Sequence, residues 1–373
     1  MVAASQPTNG GARTVTARRL FPLALIAFGL LALIPIYALE GTPVIGQLST
    51  GRPSIAPSFS SQPDVIPRIA IAYDIGGRGI AGFNQLAWEG AKRAADSLGA
   101  ELIEVTAKPD ETDADREERL KKLADTRYDP IFAIGPTYAA SIAKVAPQYP
   151  RTWFVTLDDG TVDAPNVIGA QFHEEQGSFL VGAAAALTSK TGHIGFVGAV
   201  QTPLIQKFQA GFTAGARAAD QDVKVQVAYL SQPPDNAGFS APAKARNVAL
   251  GMYDAGADVI FGAAGDSGNG VIQAAHDRGL WAIGANSDEY LTSDPSVRGA
   301  ILTSMLKRAD VGTYTIAMEV ANGVPKDGNN VFGLDVGGVG YSTSGGFVGP
   351  IKAQLDAFAT RIASGTILVP TKP

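Results

Sequence analysis

The chain has 373 residues and no cysteine, which excludes disulfide bonds, thiolate catalysis, cysteine-bound metals and a lipidated N-terminal cysteine. Its 35 acidic and 30 basic residues give a formal net charge of -5, which argues against a nucleic-acid partner. The histidines, His173, His193 and His276, lack the spacing of metal ligands, so no metal site is expected.

An uncharged apolar stretch at residues 20–39 is long enough to cross a membrane as a helix. Arginines precede it and no basic residue follows closely, so the positive-inside rule predicts residues 1–19 inside the cell and the rest of the chain outside. The alternative is a cleaved secretory signal, whose apolar part is usually shorter and whose best cleavage site here, Ile36-Tyr37-Ala38, is poor. Both interpretations export the remaining chain.

Residues 40–67 are rich in proline, serine, glycine and threonine and show no helical or strand periodicity. Such a segment buries too little apolar surface to fold, and its prolines keep it extended. It is predicted to be a linker that holds the folded body away from the membrane. A disordered tail without a function is compatible with the same composition.

After residue 67, short apolar runs alternate with amphipathic stretches, which predicts an α/β fold with parallel sheets and crossover helices. The predicted strands are Arg68–Asp74, Glu101–Thr106, Ile131–Ile134, Trp153–Leu157, His193–Val197, Val223–Leu230, Val259–Phe261, Trp281–Ile283 and Ala300–Thr303. The predicted helices are Asn84–Leu98, Asp113–Leu123, Leu204–Asp220, Ala243–Ala255 and Val311–Asn322. Thr202 before Pro203 predicts an N-cap with proline at the first helical position.

An internal repeat divides this body in two. The segment Gly90-Ala91-Lys92-Arg93-Ala94-Ala95-Asp96 resembles Gly215-Ala216-Arg217-Ala218-Ala219-Asp220 with one residue deleted. Each copy ends a predicted helix that has a phenylalanine near its start. We therefore expect two Rossmann-like lobes joined by a hinge, residues 68–170 with 298–330 and residues 171–297 with 331–373. Ligands of such sheets bind beyond the carboxyl ends of the strands, so a cleft is expected between the lobes.

The segment Gly77-Arg78-Gly79-Ile80-Ala81-Gly82 matches the GxGxxG fingerprint of dinucleotide-binding proteins, with Glu104 at the end of the next predicted strand. Against this interpretation, Asp74 would place a carboxylate beside the pyrophosphate, and an exported protein lies away from the cytoplasmic nicotinamide pool. A turn whose glycines admit a ligand close to the backbone explains the motif better.

Two further motif matches lack the context that their chemistry needs. Ser304-Met305-Leu306-Lys307 and Lys190-Thr191-Gly192 match the SxxK and KTG motifs of penicillin-recognising serine enzymes, but in the wrong order. Gly265-Asp266-Ser267-Gly268 resembles the nucleophile segment of trypsin-like proteases, which are antiparallel barrels. No catalytic residue is predicted from either match.

Polar and aromatic residues at the predicted strand ends form the candidate ligand-binding set, and both halves contribute to it. Aromatic faces can sandwich a planar ligand, an amide can pair with a base edge, and carboxylates with a lysine can fix vicinal hydroxyls. For the two phenylalanines, core packing is the alternative interpretation. The set is Asp74, Phe83, Asn84, Phe208, Gly265, Asp266, Asn286, Asp288 and Lys307.

From about residue 68 to the C-terminus, the body resembles the basic membrane protein family of bacterial substrate-binding proteins, the purine nucleoside receptor type used by ABC importers. Singly the matching segments are weak, but together they are specific. They include Tyr73-Asp74-Ile75-Gly76-Gly77, Phe83-Asn84-Gln85-Leu86-Ala87-Trp88-Glu89-Gly90, Ile194-Gly195-Phe196-Val197-Gly198, Phe208-Gln209-Ala210-Gly211-Phe212, Gly256-Ala257-Asp258-Val259-Ile260-Phe261 and Leu302-Thr303-Ser304-Met305-Leu306-Lys307-Arg308.

The resemblance implies a type I periplasmic-binding-protein fold whose two lobes close over a nucleoside. It implies that the base lies between Phe83 and Phe208. The other implied contacts are the base edge with Asn84, the ribose with Asp288 and Lys307, and the wall of the site with Asp74 and the Gly265 turn.

This sequence departs from the family pattern in ways that bear on the ligand. Asn286 replaces the first aspartate of an Asp-Ser-Asp segment and so removes a charged acceptor, while Asp266 replaces a small residue and adds one. Gly82 stands where the family has serine, and the acidic residue before it is missing. The lipidated cysteine is also absent, and the N-terminal apolar stretch would replace it.

The sequence therefore predicts a membrane-tethered, extracytoplasmic substrate-binding protein that delivers a nucleoside to an ABC permease. Neither enzymatic activity nor a cofactor is expected. The main alternative is a tethered sensor or regulatory module of the same fold, which would dock on a signalling protein. A NAD(P)-dependent oxidoreductase is the second alternative.

Overall fold

A computed structural model of the protein describes residues 66–73, 77–79, 82–108 and 111–373. The predicted membrane-crossing stretch and nearly all of the predicted linker lie outside these residues. So does Asp74. Within the described residues, none of the helices has both the length and the apolar character needed to cross a membrane.

Strands and helices alternate along most of the body. The first part of the chain contains β1 (Arg68–Tyr73), α1 (Phe83–Leu98), β2 (Glu101–Thr106), α2 (Asp113–Asp125), β3 (Ile131–Ile134), α3 (Ala139–Val145), β4 (Phe154–Leu157) and β5 (Val167–Phe172). The middle part contains α4 (Glu174–Thr188), β6 (His193–Val200), α5 (Pro203–Ala219), β7 (Lys224–Ser231), α6 (Pro242–Asp254), β8 (Val259–Ala263), α7 (Gly268–Arg278), β9 (Trp281–Asn286), α8 (Glu289–Thr292) and β10 (Ile301–Lys307). The last part contains α9 (Ala309–Ala321), β11 (Gly328–Phe332), β12 (Val339–Tyr341) and α10 (Lys352–Ala363).

The described strands form two six-stranded sheets, one in each lobe. The first lobe has the strand order β11-β5-β4-β3-β1-β2, and its strands pair in parallel. The second has the order β12-β10-β9-β8-β6-β7, in which β12 is antiparallel to β10 and the other pairs are parallel. The predicted α/β class with two parallel-dominated sheets is confirmed.

The described chain passes between the lobes from β5 to α4, from β10 to α9 and from β11 to β12. These connections are hydrogen-bonded to one another. The His173 amide donates to the Phe332 carbonyl at 3.1 Å, and the Arg308 amide donates to the Gly338 carbonyl at 2.8 Å. The link between the lobes is therefore a set of adjacent backbone segments, where a hinge was predicted.

One predicted boundary is wrong. Residues 298–330 were assigned to the first lobe, but β10 pairs with β9, with Ser304 opposite Gly284, and so belongs to the second sheet. Only α9 and β11 return to the first lobe, where α9 packs on α1. Membership of a sheet is set by the neighbouring strand, which can be distant in sequence and leaves no local pattern.

The internal repeat forms an equivalent helix–helix packing contact in each lobe. Gly90 of α1 faces α9, and a Cβ atom there would lie 2.3 Å from the Asp310 carbonyl oxygen. Gly215 of α5 faces α4, and its Cβ would lie 1.9 Å from the Phe179 carbonyl oxygen. Only glycine allows the helix backbones to approach this closely. The repeated glycine thus sets the spacing of one helix pair per lobe.

Several elements were not predicted, and the reasons are physical. Helix α4 is buried along nearly its whole length, so its sequence lacks the amphipathic period on which the helix predictions depended. Strands β11 and β12 are short and partly exposed, and they lack a clear alternation of apolar and polar residues. Strands β9 and β10 run further than predicted, so Asn286 and Lys307 are their last residues.

The predicted N-cap is present. The Thr202 hydroxyl accepts a hydrogen bond from the Ile205 amide at 3.3 Å, and Pro203 is the first residue of α5. This satisfies one of the free amides at the start of the helix.

Candidate functional site

A cleft of about 570 Å³ lies between the two lobes. The first lobe lines it with the glycine-rich turn before α1 and with the first residues of that helix. The second lobe lines it with the residues that follow β8 and β9. The cleft thus lies beyond the carboxyl ends of the strands, where small ligands bind in α/β sheets. Of the predicted ligand-binding residues, Phe83, Asn84, Gly265, Asp266 and Asn286 line it.

The glycine-rich turn has a backbone that requires glycine. Gly77, Gly79 and Gly82 have φ angles of 65°, 69° and 87°, a region in which other residues are strained. The Asn84 side chain stabilises this turn, because its amide donates to the Gly77 carbonyl at 2.7 Å. The GxGxxG spacing therefore reflects the conformation of the cleft wall and does not require a dinucleotide.

Glu104, the acidic residue of the apparent dinucleotide fingerprint, is engaged by the protein itself. It accepts a hydrogen bond from the Tyr73 hydroxyl at 3.2 Å and lies 3.7 Å from the Arg78 guanidinium. The guanidinium in turn stacks on the Trp88 ring, 4.4 Å from its centroid. A ribose-binding role for Glu104 would have to break these contacts.

Phe83 is half-buried and faces the cleft from the start of α1. Its ring packs edge-to-face on Phe172, with 6.3 Å between the ring centroids and an interplanar angle of 83°. Phe172 is fully buried in β5, so it holds the Phe83 ring from behind. The arrangement leaves an aromatic surface on the first-lobe side of the cleft.

Phe208 does not line the cleft in this structure. It is 3% exposed, and its ring lies 6.4 Å from that of Phe261 in the core of the second lobe. Of the two rings that were predicted to face each other, Phe83 therefore lines the cleft and Phe208 does not. Phe208 packs in the core, which was the alternative interpretation for this residue. The Lys307 ammonium lies near both rings, 4.9 Å from the Phe83 centroid and 6.0 Å from the Phe208 centroid.

Lys307 is buried and joins the two lobes. Its Nζ atom lies 2.6 Å from Oδ2 of Asp158, which follows β4 in the first lobe. It also lies 3.0 Å from Oε1 of Glu174, the first residue of α4 in the second lobe, and Glu174 in turn is 3.3 Å from Lys207. Burial alone lowers the pKa of Lys307, but Asp158 and Glu174 outweigh burial and raise it above its ordinary value. Lys307 therefore stays charged.

Asp158 is a candidate residue that the sequence reasoning missed. It has a φ angle of 66°, unusual for a residue other than glycine, and its Oδ1 atom is buried without a hydrogen-bond partner. Such an atom is costly unless a ligand or water satisfies it. In the sequence, Asp158 has the same feature that made Asp74 a candidate, because it is a carboxylate at the end of a predicted strand.

Asp288 lies behind the cleft wall. Its Oδ2 atom accepts hydrogen bonds from the Ser342 and Ser344 hydroxyls at 2.7 and 2.6 Å, while Oδ1 is buried without a partner. In this structure Asp288 therefore anchors the segment that follows β12. Its predicted role toward a ribose remains a prediction.

The second-lobe wall is rich in hydrogen-bond acceptors. Asp266 is exposed at the edge of the cleft in the turn after β8. Asn286 ends β9 with a φ angle of 69°, and its Oδ1 atom is buried without a partner. A residue held in this sparsely populated conformation beside a cleft is a common feature of binding sites. The wall is suited to a ligand edge that donates hydrogen bonds.

The two serine-enzyme motifs have structural roles. Ser304 lies on strand β10, and its hydroxyl accepts from the Glu289 amide at 3.1 Å. Ser267 is fully buried, donates to the Gly238 carbonyl at 2.7 Å and accepts from the Ala241 amide at 2.6 Å. Neither hydroxyl contacts a histidine base among the described residues. Both serine hydroxyls therefore make hydrogen bonds that hold the fold together.

Comparison with known proteins identifies the family. Residues 68–372 match the sequence model of the Bmp family, described as ABC transporter substrate-binding protein PnrA-like. The chain belongs to this family. The match covers the whole described body apart from its first and last residues, and it confirms the family resemblance found in the sequence.

Relatives and solved structures agree with this assignment. The chain is 32% identical over 321 residues to a CD4+ T-cell-stimulating antigen of Listeria monocytogenes, covering 82% of this chain and 88% of the relative. It is 29% identical over 326 residues to the ABC transporter nucleoside-binding protein BmpA of Lactococcus lactis, covering 82% and 89%. A solute-binding protein of an ABC transporter system from Aeropyrum pernix superposes with a TM-score of 0.67 at 27% identity, covering 82% and 94%. The fold of this Bmp-family protein is the type I periplasmic-binding-protein fold.

Proposed function

We propose that this Bmp-family protein binds a nucleoside in the cleft between its lobes and delivers it to an ABC permease. The family resemblance favours a purine nucleoside. The observation that carries the proposal is the combination, in one cleft, of an aromatic face, Phe83, with acceptor-rich polar residues on the opposite lobe. A planar base and a sugar with several hydroxyl groups match these two surfaces.

The base stacks on Phe83 in this proposal, with Asn84 at its edge. The ribose lies toward Lys307, whose ammonium can exchange contacts with Asp158 for contacts with ligand hydroxyls. Buried Oδ1 atoms of Asp158 and Asp288 then gain donors that they lack in this structure. Phe208 contacts the ligand only if Lys307 moves, because the ammonium now lies near both rings.

Binding on both walls would draw the lobes together, because each lobe contributes part of the contact surface. The closed form is the signal that a permease can recognise. We further propose that the N-terminal segment holds the body at the outer face of the membrane, and that the ligand leaves the protein chemically unchanged. A sensor of the same fold would differ in its docking partner and not in its cleft.

Isothermal titration calorimetry of the purified protein against purine and pyrimidine nucleosides tests the proposal. Phe83→Ala is expected to weaken binding by about 1 to 3 kcal/mol, the usual contribution of base stacking on an aromatic ring. Phe358→Ala is the matched control, because this half-buried ring packs on Phe179, away from the cleft. Nucleoside binding that Phe83→Ala leaves unchanged would refute the stacking site.

Uptake measurements separate transport from sensing. Cells that lack the protein should lose uptake of a labelled nucleoside and regain it with the wild-type gene but not with the Phe83→Ala variant. Unchanged uptake together with altered gene expression would favour the sensor. Chromatography of the nucleoside after long incubation should return it intact, and a product peak would contradict the non-enzymatic role.

A further inference from the structure

Two solvent-accessible charges of opposite sign line the cleft, one on each wall. Among the described residues, they are Arg78 on the first-lobe wall and Asp266 on the second-lobe wall. The third charged residue of the lining is Glu289, whose carboxyl group folds over Gly284 and accepts from the Ala285 amide at 3.1 Å. That carboxyl group is held in the wall itself, so Arg78 and Asp266 are the charges that can act across the cleft.

Arg78 is held on a fixed turn and has only a weak ionic partner. The glycines on either side of it, Gly77 and Gly79, have φ angles of 65° and 69° and set the course of the backbone. Its side chain is 37% exposed, and its guanidinium stacks on the Trp88 ring at 4.4 Å. The Glu104 carboxylate lies 3.7 Å away, which is too far for a hydrogen bond, and exposed ion pairs contribute little. Arg78 makes no hydrogen bond to any described residue, so its N–H groups can donate to another acceptor.

Asp266 also projects from an anchored turn, and it has no partner. Gly265 before it has a φ angle of 57° and lies against Phe239. Ser267 after it is fully buried and is hydrogen-bonded through its hydroxyl to backbone groups on both sides. Asp266 itself is exposed, and its carboxylate makes no hydrogen bond or ion pair with any described residue. A charge carried on a fixed turn loses little conformational freedom when a partner arrives.

Closure of the lobes brings the two walls of the cleft toward each other. While the walls are apart, both charges are hydrated and screened by salt, so their attraction is small. As water leaves a narrowing cleft, the effective dielectric constant falls and the attraction between opposite charges rises steeply. The attraction therefore favours the closed form, which is the form that encloses a ligand.

We propose that Arg78 and Asp266 form an ion pair across the cleft when the lobes close, and that this pair is a latch on the ligand-bound form. The guanidinium stays on Trp88 and turns its free N–H groups from Glu104 to the Asp266 carboxylate. The inference rests on the proposed nucleoside-binding function, because the ligand is what draws the lobes together. It gives a role to Asp266, one of the positions at which this sequence departs from the family pattern.

The latch gives the binding of an uncharged ligand a dependence on salt. Adenosine and guanosine carry no net charge at neutral pH, so salt acts on their binding through charges of the protein. The buried pair of Lys307 and Asp158 is screened much less than a pair at the edge of the cleft. Raising sodium chloride from about 0.05 M to about 0.5 M is therefore expected to weaken nucleoside binding by about two- to fivefold.

Calorimetry of the full chain with adenosine and guanosine at the two salt concentrations tests the latch. Arg78→Gln and Asp266→Asn should each weaken binding at low salt by about two- to fivefold, the range for an ion pair near the surface, and remove the salt dependence. The double variant should bind no more weakly than either single variant, because the second substitution has no pair left to break. Exchanging the charges in Arg78→Asp/Asp266→Arg should restore most of the affinity.

The matched control is an exposed ion pair of the same chemistry outside the cleft. Arg278 and Asp254 are the last residues of α7 and α6, at the opposite end of the second-lobe sheet, and lie 2.7 Å apart. Arg278→Gln and Asp254→Asn should leave nucleoside affinity and its salt dependence unchanged. Thermal melts without nucleoside should not distinguish Asp266→Asn from wild type, since the latch forms only in the closed protein.

The salt titration of the wild-type protein needs no variant, so an Arg78→Gln protein that fails to fold leaves the test intact. Wild-type affinity that is independent of salt, or losses that add in the double variant, would overturn the latch. Guanosine 5′-monophosphate binding more tightly than guanosine, with that advantage lost in Arg78→Gln alone, would also overturn it, because Arg78 would then bind an anionic ligand group. In each case the proposed function would stand if Phe83→Ala still weakened nucleoside binding. Failure of every nucleoside to bind would refute the proposed function and this inference with it.

Discussion

Replacing Lys307 by methionine removes the ammonium group that links the two lobes beside the cleft. In the wild-type protein this side chain is 2% exposed and lies 2.6 Å from Asp158 and 3.0 Å from Glu174. Methionine fills much of the same volume without a charge. The substitution therefore tests the ion pairs with little change in packing.

The expected cost follows from the burial of the two carboxylates. Glu174 is 1% exposed and Asp158 17% exposed, so each would keep a negative charge in a poorly hydrated place. Breaking a buried ion pair by removing one partner costs about 3 to 5 kcal/mol. We expect about 3 kcal/mol for Lys307→Met, because Glu174 keeps its contact with Lys207 at 3.3 Å.

A double-mutant cycle in guanidinium chloride measures the link directly. Asp158→Asn should cost less than Lys307→Met, since the amide oxygen still accepts from the ammonium. The destabilisation of the double variant should be smaller than the sum of the two single destabilisations by about 1 to 3 kcal/mol. A Lys307→Met protein within about 0.5 kcal/mol of wild type, or an additive cycle, would refute the view that this pair holds the lobes.

Three further changes test the remaining structure. Gly215→Ala should lower the free energy of unfolding by about 1 to 3 kcal/mol, since its Cβ would meet a helix backbone, whereas Gly251→Ala, with no atom within 4 Å of its Cβ, should be neutral or slightly stabilising in the same thermal melts. Thr202→Ala should cost about 0.5 to 2 kcal/mol in denaturant titrations by removing the N-cap of α5, and an unchanged midpoint would contradict that role. For Glu289, whose pKa is raised from 4.5 to about 7, the native state holds a proton that the unfolded chain has released, so its contribution to stability is lost as pH rises through this window. The free energy of unfolding of Glu289→Gln should therefore rise by about 3 kcal/mol relative to that of the wild type between pH 4 and pH 8. If the difference between the two free energies stayed constant over this range, the buried environment of Glu289 would be disproved.

The residues that line the cleft were found in the sequence because they follow strands. Phe83, Asn84, Asp266 and Asn286 stand at predicted strand ends or in the turns that follow, and parallel strands bring such positions to one edge of a sheet. The same rule extends to Asp158, which lies directly after β4. This part of the site depends on chain order and strand direction, which a sequence displays.

The contacts of these residues could not be found in the same way. Phe83 and Phe208 occupy equivalent places in the internal repeat, yet Phe83 faces the cleft and Phe208 is buried in the core. Phe208 packs on Phe261, which comes from β8, a different element of the chain. Long-range packing of this kind leaves no spacing or periodicity in the sequence.

Periodicity, an internal repeat and motifs that are local in the chain are enough to establish the α/β class, the division into two similar lobes and the family. Packing of the folded chain was needed to show that β10 belongs to the second lobe and that Lys307 pairs with Asp158 across the lobes. Each of these depends on which distant groups meet and on how far water is excluded from them. Those quantities exist only once the chain is packed.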